Sequence, residues 1–264
     1  MNQSIKLASG VTLNTKIDGP DTAPWLILSN SLGADLTMWD EQIAFLTASY
    51  RVLRYDTRGH GASDVPSGPY SFDGLVGDVI GLMDALEIET AHFMGLSMGG
   101  MTGLGLSLNH ADRITRVVCA DGRADAPAPF VAMWDQRMAA VADGGLEAIA
   151  DGTLGTWLTA DWQAANPART KSVRDMVTAT NVDGYIACCK ALQKLDYLKS
   201  LGDVKIPVLF VGGREDVGAS PETMGAMAAA TPGGKYIEIA DAAHVANINA
   251  PEAFNASIKR FLDL

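Results

Sequence analysis

The sequence predicts an α/β fold in which helices cover both faces of a mostly parallel central sheet. In the first half of the chain, short β-rich apolar runs alternate with stretches of helical apolar spacing. The same alternation returns after residue 204, whereas residues 124–203 contain no convincing β run. Alternating units of this kind favour a parallel sheet, because each strand crosses back through a helix before it pairs.

The early elements follow from local spacing. Residues 11–17 alternate apolar and polar side chains and are expected to pair with residues 5–7 as a hairpin. Four later runs are typical of buried strands: 25–28, 52–55, 91–96 and 117–120. Between them, apolar residues at helical spacing predict helices over residues 38–48 and 75–86.

The later elements complete the sheet. A strand, a helix, a strand and a closing helix are predicted over residues 207–211, 221–230, 236–239 and 251–261. Residues 124–203 instead hold Trp, Met and Ala at helical spacing. We therefore predict a core of residues 1–123 and 204–264, with residues 124–203 inserted as a helical lid. Such a lid would lie over the carboxyl ends of the strands, where open α/β sheets bind ligands.

Composition limits the classes of partner. The 264 residues carry a net charge of −11, which argues against nucleic acids and anionic membranes. No apolar run approaches the ~20 residues of a membrane span, and residues 1–6 lack a signal-peptide apolar region. Three cysteines, two of them adjacent, make no disulfide framework. We expect a cytoplasmic protein that acts on a small molecule; a homodimer is compatible with the sequence.

The Gly-Leu-Ser-Met-Gly sequence at residues 95–99 is the most informative motif. It follows the predicted strand and precedes a helix-like stretch, which is the context of a nucleophile elbow. Glycines flank the serine in such an elbow because the turn leaves no room for side chains. The alternative interpretation is a glycine-rich strand-to-helix turn without catalytic function. The context favours Ser97 as a nucleophile.

A serine hydroxyl is a weak nucleophile until a base removes its proton, and the chain offers four histidines. His92 begins the strand that leads to Ser97, and His110 ends the following helix, so neither is expected near the hydroxyl. His60 follows a strand and could approach the site. His244 lies on a loop that reaches the carboxyl ends of the strands, and we predict it as the general base.

The base needs a carboxylate that orients its ring and stabilises its charged form. Asp216 follows the predicted strand at residues 207–211, and the chain order serine, aspartate, histidine is that of α/β-hydrolases. Glu215 is the near rival, because one residue of loop register separates the two. Asp121, after an earlier strand, is a weaker alternative.

The reaction also needs N–H donors for the developing oxyanion. The residue after the nucleophile, Met98, supplies one backbone N–H. The second is expected from the loop after the strand at residues 25–28, where small residues allow close approach of the backbone. We predict the N–H of Leu32 as this donor.

With these residues in place, the chain resembles the 3-oxoadipate enol-lactone hydrolases, or enol-lactonases, of the α/β-hydrolase fold superfamily. The resemblance covers residues 1–122 and 204–264. It is carried by the Ser-Asn-Ser-Leu-Gly sequence at residues 29–33, where many relatives have His-Gly, and by three further stretches. These are residues 55–61, 95–100 and 241–244.

The resemblance implies a Ser97, Asp216 and His244 triad, with Leu32 and Met98 at the oxyanion hole. It also implies hydrolysis of a small carboxylated enol-lactone in aromatic-acid catabolism. No cofactor or metal is expected, because acyl transfer by a triad needs none and the histidines show no ligand spacing. Residues 119–125, 188–190 and 212–216 depart from the family pattern, which affects the substrate prediction most.

A substrate carboxylate would need a local cation. The predicted substrate-binding residues of the lid are Trp134, Arg137, Trp157 and Lys190, and the candidate cations are Arg123, Arg137, Lys190 and Lys194. For the cations a solvated surface position is the alternative, since Lys and Arg are mostly exposed. For the tryptophans the alternative is lid core.

Four other functions share parts of this pattern. A broader carboxylesterase or lactonase would use the same triad with a different pocket, and so would a hydrolase of carbon–carbon bonds in β-diketones. A perhydrolase or haloperoxidase-like enzyme shares the elbow. A non-catalytic binding module of the same fold is the hypothesis from a different functional class, and the complete set of triad residues argues against it.

Overall fold

An eight-stranded sheet forms the centre of the computed structural model, which describes residues 2–264. Its spatial order is β1-β2-β4-β3-β5-β6-β7-β8. In chain order the strands are Asn2–Lys6, Thr12–Asp18, Trp25–Ser29, Arg51–Tyr55, Ala91–Leu96, Ile114–Ala120, Val208–Gly213 and Lys235–Ile239. β2 is antiparallel to β1 and β4, and every other neighbouring pair is parallel. The predicted mostly parallel sheet is confirmed.

Helices flank this sheet on both faces. In chain order α1 to α11 are Asp40–Leu46, Phe72–Ala85, Met98–Asn109, Ala128–Gly144, Glu147–Trp157, Ala160–Ala165, Pro167–Thr178, Val182–Leu192, Pro221–Ala230, Ala246–Asn249 and Pro251–Lys259. Two short 3-10 helices are Leu36–Trp39 and Leu198–Asp203. Within residues 2–264, none of the helices combines the length and the apolar character needed to cross a bilayer.

The strands are apolar on both sides because both faces of the sheet are covered. Along β3, Leu26 and Leu28 belong to one core cluster while Ile27 belongs to the cluster on the opposite face. All three side chains are fully buried. Each contributes about 1.5–3 kcal/mol of burial free energy, so the sheet that carries the site is held from both sides.

Helices α4–α8 are inserted between β6 and β7. Their ends meet where Asp125 and Asp196 form an isolated bridge and Tyr197 N–H donates to the Ala124 carbonyl at 2.7 Å. A third apolar cluster joins α8 to α3 and includes Tyr185 and Met101. The inserted segment is therefore helical, as the spacing indicated, and packs on the helix that follows the elbow. The division into core and lid stays a prediction.

Candidate active site

The elbow holds Ser97 in a strained conformation. Its φ of 54° and ψ of −115° lie in a region that costs non-glycine residues about 1–3 kcal/mol. The surroundings maintain it, since Ser97 N–H donates to the Ala120 carbonyl at 2.8 Å. A Cβ on Gly95 would overlap the Gly99 carbonyl, and one on Gly99 would overlap the Ser29 carbonyl. Both glycines are therefore required by close packing of the backbone.

The three predicted triad residues form one hydrogen-bonded chain. His244 Nε2 lies 2.9 Å from Ser97 Oγ, and His244 Nδ1 lies 2.8 Å from Asp216 Oδ2. A carboxylate can only accept, so Nδ1 carries the ring proton. Nε2 is then the acceptor for the serine hydroxyl, which is the arrangement that a general base requires.

Asp216 and His244 stabilise each other's charged form. Burial disfavours the ionised Asp216, but His244 and the N–H groups of Gly218 and Ala219, at 2.7 and 3.0 Å, outweigh it and lower the carboxyl pKa. Burial likewise opposes an imidazolium at His244. The Asp216 carboxylate offsets that effect and raises the His244 pKa above its usual value of 6.5.

The rival acids occupy different environments. Glu215 is exposed, and the hydrogen bond of His244 Nδ1 goes to Asp216 instead. Asp121 is fully buried at a φ of 43° and accepts from Gly213 N–H at 2.8 Å and Ala246 N–H at 3.3 Å. Burial and the nearby Asp216 raise its pKa. Asp121 therefore ties β7 to α10, and the histidine contacts Asp216.

Two backbone N–H groups remain free for an oxyanion. Met98 begins α3, and Leu32 lies in the loop after β3. Gly99 N–H donates to the Asn30 carbonyl at 3.0 Å, which fixes this loop against the elbow. In the part of the chain that the structure describes, neither Leu32 N–H nor Met98 N–H has a protein acceptor. Both predicted donors are thus available.

A cavity of about 460 Å³ lies between the elbow and the inserted helices. Its walls are mainly apolar, a property shared by most small-molecule sites. The predicted residues on its surface are Leu32, Ser97, Asp216, His244, Trp134, Arg137 and Trp157. The structure therefore brings the two predicted tryptophans and one predicted arginine of the inserted segment to the same space as the nucleophile.

Arg137 is held in this cavity by neutral partners. Its Nε donates to the Tyr185 hydroxyl at 3.2 Å and its Nη2 donates to Thr153 Oγ1 at 2.6 Å. Within residues 2–264, no carboxylate lies within ion-pair distance of this guanidinium. The Trp134 ring lies 5.6 Å from it, and the Trp134 Nε1–H is buried without an acceptor. Arg137 Nη1 has no acceptor in this range either, so each of the two side chains has an unused donor.

The other candidate cations are placed differently. Arg123 also lines the cavity, but it pairs with Asp125 at 3.1 Å. Lys190 is exposed and lies at a separate surface hollow beside residues 65–69, because α8 turns its cysteines inward. Lys190, predicted from the sequence to bind substrate, therefore does not line the cavity that holds Ser97 and His244. Lys194 is absent from the described cavity lining as well.

Thr153 and Tyr185 are site residues that the sequence did not reveal. They bind Arg137 from positions 16 and 48 residues away along the chain. Each lies on a buried face of its helix, so helical spacing marks it as core. No local signal distinguishes a buried tyrosine that packs from one that orients an arginine.

Comparisons with known proteins agree with this geometry. Residues 24–251 match the family model of the alpha/beta hydrolase fold. The chain is 36% identical to 3-oxoadipate enol-lactonase 2 of Acinetobacter baylyi, over 96% of each protein. It is 41% identical to the crystal structure of the enol-lactonase from Burkholderia xenovorans LB400, with a TM-score of 0.95 over 99% of this chain and 100% of that one.

A more distant structure shares the same architecture. A thermophilic esterase from Thermogutta terrifontis is 25% identical and superposes with a TM-score of 0.92, over 100% of this chain and 98% of that one. The resemblance stated from the motifs is thus confirmed over nearly the whole length of the chain. This protein belongs to the α/β-hydrolase family of enzymes, and within that family it is similar to the enol-lactonases.

Proposed function

We propose that this protein is a serine hydrolase that opens a small carboxylated enol-lactone of the 3-oxoadipate type, in the cytoplasmic breakdown of aromatic acids. One observation carries the proposal. The hydrogen-bonded chain of Asp216, His244 and Ser97 opens into a cavity whose inserted wall presents the unpaired Arg137 guanidinium. The named enol-lactonases to which the chain is similar support the same substrate class.

In the first step Ser97 Oγ attacks the lactone carbonyl carbon while His244 Nε2 takes the hydroxyl proton. The carbonyl oxygen becomes an oxyanion that accepts from the N–H groups of Leu32 and Met98. Asp216 stabilises the imidazolium that forms. Each oxyanion donor contributes about 100- to 1000-fold to the rate in enzymes where one has been removed.

The tetrahedral intermediate then collapses with cleavage of the ring C–O bond. The ring oxygen is the leaving group, and it takes the proton from His244 Nε2 to form an enol. This enol then tautomerises to a ketone. The substrate remains bound to Ser97 through an ester. A water molecule, deprotonated by His244, attacks this ester and releases the open-chain keto acid and the free serine hydroxyl.

Arg137 is the group that we assign to the substrate carboxylate. The net charge of −11 gives an anionic substrate no general attraction, so a local cation is needed. Nη1 of Arg137 has no acceptor within residues 2–264, and the Trp134 ring lies 5.6 Å from the guanidinium. The guanidinium also opposes the positive charge of His244, which places it within electrostatic range of the reacting atoms.

In this proposal the two parts of the chain have separate tasks. The core of residues 1–123 and 204–264 supplies the nucleophile, the base, the acid and the oxyanion donors. The lid of residues 124–203 supplies Arg137, Trp134 and Trp157 to the cavity. Substrate choice is therefore assigned to the lid and the reaction to the core.

A broader carboxylesterase is the second candidate, and the mainly apolar cavity wall favours it. Neutral esters would fill such a space without using the arginine. The similar esterase from Thermogutta terrifontis shows that the same architecture occurs in a protein with that name. The two candidates differ in whether a carboxylate on the substrate raises the rate.

The deciding experiment compares kcat/KM for 3-oxoadipate enol-lactone with that for p-nitrophenyl acetate. We expect the enol-lactone to be preferred and Ser97→Ala to abolish both reactions while the protein stays folded. Ser107 is a buried serine on α3, the helix that follows Ser97, and Ser107→Ala is the control that should leave both rates unchanged. Preference for the neutral ester would favour the carboxylesterase. Failure of a fluorophosphonate to label Ser97 would favour a non-catalytic binding module.

A further inference from the structure

The loop after β4 has no role in the mechanism above, yet it contacts residues 30–36, the segment after β3 that carries Leu32. We call residues 30–36 the oxyanion loop. Two side chains make this contact. Asp56 Oδ1 accepts from Leu36 N–H at 2.8 Å, and His60 Nε2 accepts from Gly33 N–H at 2.9 Å. Both side chains are buried, with 2% and 1% of their surface exposed. A titratable ring therefore lies directly behind the loop that carries a predicted oxyanion donor.

The hydrogen bonds of His60 determine its protonation state. A backbone N–H can only donate, so the Nε2 atom that faces Gly33 must be unprotonated. The neutral ring then carries its proton on Nδ1, which lies 3.2 Å from the Arg58 carbonyl oxygen. An imidazolium would direct an N–H at an N–H and break the contact with Gly33. The site thus accepts one form of the ring, the neutral Nδ1–H tautomer.

The contact with Gly33 sets the orientation of the oxyanion loop. Gly33 N–H belongs to the same peptide unit as the Leu32 carbonyl, and Gly33 has a φ of +80°. The neighbouring N–H groups also have acceptors: Ser31 donates to Met38 Sδ at 3.3 Å and Ala34 donates to the Ser31 carbonyl at 3.2 Å. Within this turn, the N–H of Leu32 is the donor left free for substrate.

We propose that His60 is a positioning residue of the oxyanion hole: its neutral imidazole holds Gly33 N–H and thereby keeps Leu32 N–H directed at the oxyanion. The inference rests on the proposed serine mechanism and is independent of which ester or lactone is the substrate. His60 does not touch the reacting atoms, and it acts through the peptide between Leu32 and Gly33.

The surroundings keep the ring neutral at working pH. Burial lowers the pKa of His60 to about 4, against smaller opposing effects of the Arg58 carbonyl and of Asp35, which precedes the neighbouring 3-10 helix. The Arg58 guanidinium is bound by Asp78 of α2 at 2.6 Å. On the side of α8, Cys188 Sγ lies 4.0 Å from the Arg58 carbonyl. Burial therefore outweighs the two opposing effects and disfavours protonation of His60 at neutral pH.

The test uses two variants of His60 and a control. His60→Gln retains an acceptor where Nε2 lies, whereas His60→Leu has none. With p-nitrophenyl acetate at neutral pH, we expect His60→Leu to lose about 10- to 100-fold in kcat with KM nearly unchanged. His60→Gln should recover most of this loss. His92→Gln is the control, since His92 is half-buried and bound to Thr115 Oγ1 at the far end of β5.

Binding of an oxyanion analogue separates positioning from packing. A trifluoromethyl ketone forms a tetrahedral adduct with Ser97 that carries a negative oxygen. Its affinity should fall across the three proteins by the same factor as kcat/KM. Equal activity in His60→Gln and His60→Leu, or an analogue affinity that does not follow kcat/KM, would overturn the proposal.

A third measurement applies even where His60→Leu does not fold. The ¹⁵N NMR spectrum of the wild-type protein should show the His60 proton on Nδ1 and a bare Nε2 at neutral pH. A proton on Nε2 would overturn the proposal. A wild-type protein that neither turns over esters nor reacts with a fluorophosphonate contradicts the serine mechanism itself, and that result is recognised without any His60 variant.

Discussion

The two walls of the cavity are built in different ways. The floor carries the proposed catalytic residues and consists of residues 30–34, 95–99, 213–219 and 241–246. On the side of the proposed lid we compare it with α4, Ala128–Gly144, which we call the lid wall. In the floor, buried polar groups are held by several partners at once, as Asp216 is by His244, Gly218 and Ala219. In the lid wall the one buried residue is Val141.

From this contrast we infer that the floor fixes the geometry of the proposed reaction and that the lid wall determines which substrate is bound. Acyl transfer requires a nucleophile, a base and two donors at set distances, so the floor is rigidly bonded. Recognition of a substrate group requires only one or two well-placed donors, and the side chains around them can vary without changing the reaction geometry. The inserted segment is bonded to the floor through α5, where Val245 N–H donates to the Trp157 carbonyl at 3.1 Å.

The largest expected effect comes from the floor. In Asp216→Asn the amide no longer stabilises the imidazolium, and its N–H₂ group favours the wrong tautomer of His244. We expect kcat to fall by about 10⁴-fold with little change in KM. Glu215→Gln is the matched control one residue away and should be nearly silent in steady-state kinetics. A large loss in the control instead would assign the acid to Glu215.

A smaller effect of the floor is expected on stability. The pKa of His60 is about 4 in the folded protein and about 6.5 in an unfolded chain. Between these values the unfolded state takes up a proton that the native state excludes, so stability falls as the pH drops from about 6.5 to 4. We expect this site to lose about 3 kcal/mol over that window.

Urea unfolding at several pH values measures this contribution, with His60→Gln as the reference. The variant lacks the titrating ring, so its free energy of unfolding should fall less steeply between pH 6.5 and 4. Parallel curves for the two proteins would show that the His60 pKa is not lowered by folding.

The lid wall should change selectivity more than catalysis. Arg137→Gln removes the guanidinium but keeps a polar side chain, so we expect a loss of about 10- to 100-fold in kcat/KM for a carboxylated enol-lactone. Hydrolysis of p-nitrophenyl acetate should change little. Lys190→Gln, on the same lid but outside the cavity, is the control. An equal loss for both substrates in Arg137→Gln would show that Arg137 supports the structure of the site and does not select the carboxylated substrate.

The smallest effect is expected at the outer surface of the lid. Arg174 donates to Glu147 at 2.6 Å and to Asp151 at 2.8 Å, and both carboxylates are exposed. Exposed ion pairs of this kind contribute little because water and salt screen them. Arg174→Gln should leave both kcat/KM and the thermal midpoint unchanged within error. A clear drop in the midpoint would show that these pairs hold α5 against α7.

Most of the architecture was predictable because its signals are local. Periodicities of 2 and 3.6 residues mark the strands and helices, and the structure has the strand predicted at residues 236–239 as Lys235–Ile239 and the helix predicted at residues 221–230 as Pro221–Ala230. The helix predicted from residue 38 instead begins as the 3-10 helix Leu36–Trp39, because the Asp35 side chain caps it at Thr37 N–H.

The sequence alone determined the elbow around Ser97 and the chain order of the candidate acid and base. These depend on short-range geometry: a turn too tight for a Cβ at Gly95 or Gly99, and loops that follow parallel strands to one edge of the sheet. The insertion after β6 is predictable from the same local signals, because the alternation of strands and helices stops there.

Only the tertiary structure decided which side chains meet. It separates Asp216 from Glu215, because two N–H groups and a histidine converge on one carboxylate. It turns Arg137 into the cavity and Lys190 out of it, and it places His60 behind a loop 27 residues earlier in the chain. Contacts between distant segments depend on packing of whole faces, and a linear pattern contains no measure of which buried polar groups will become partners.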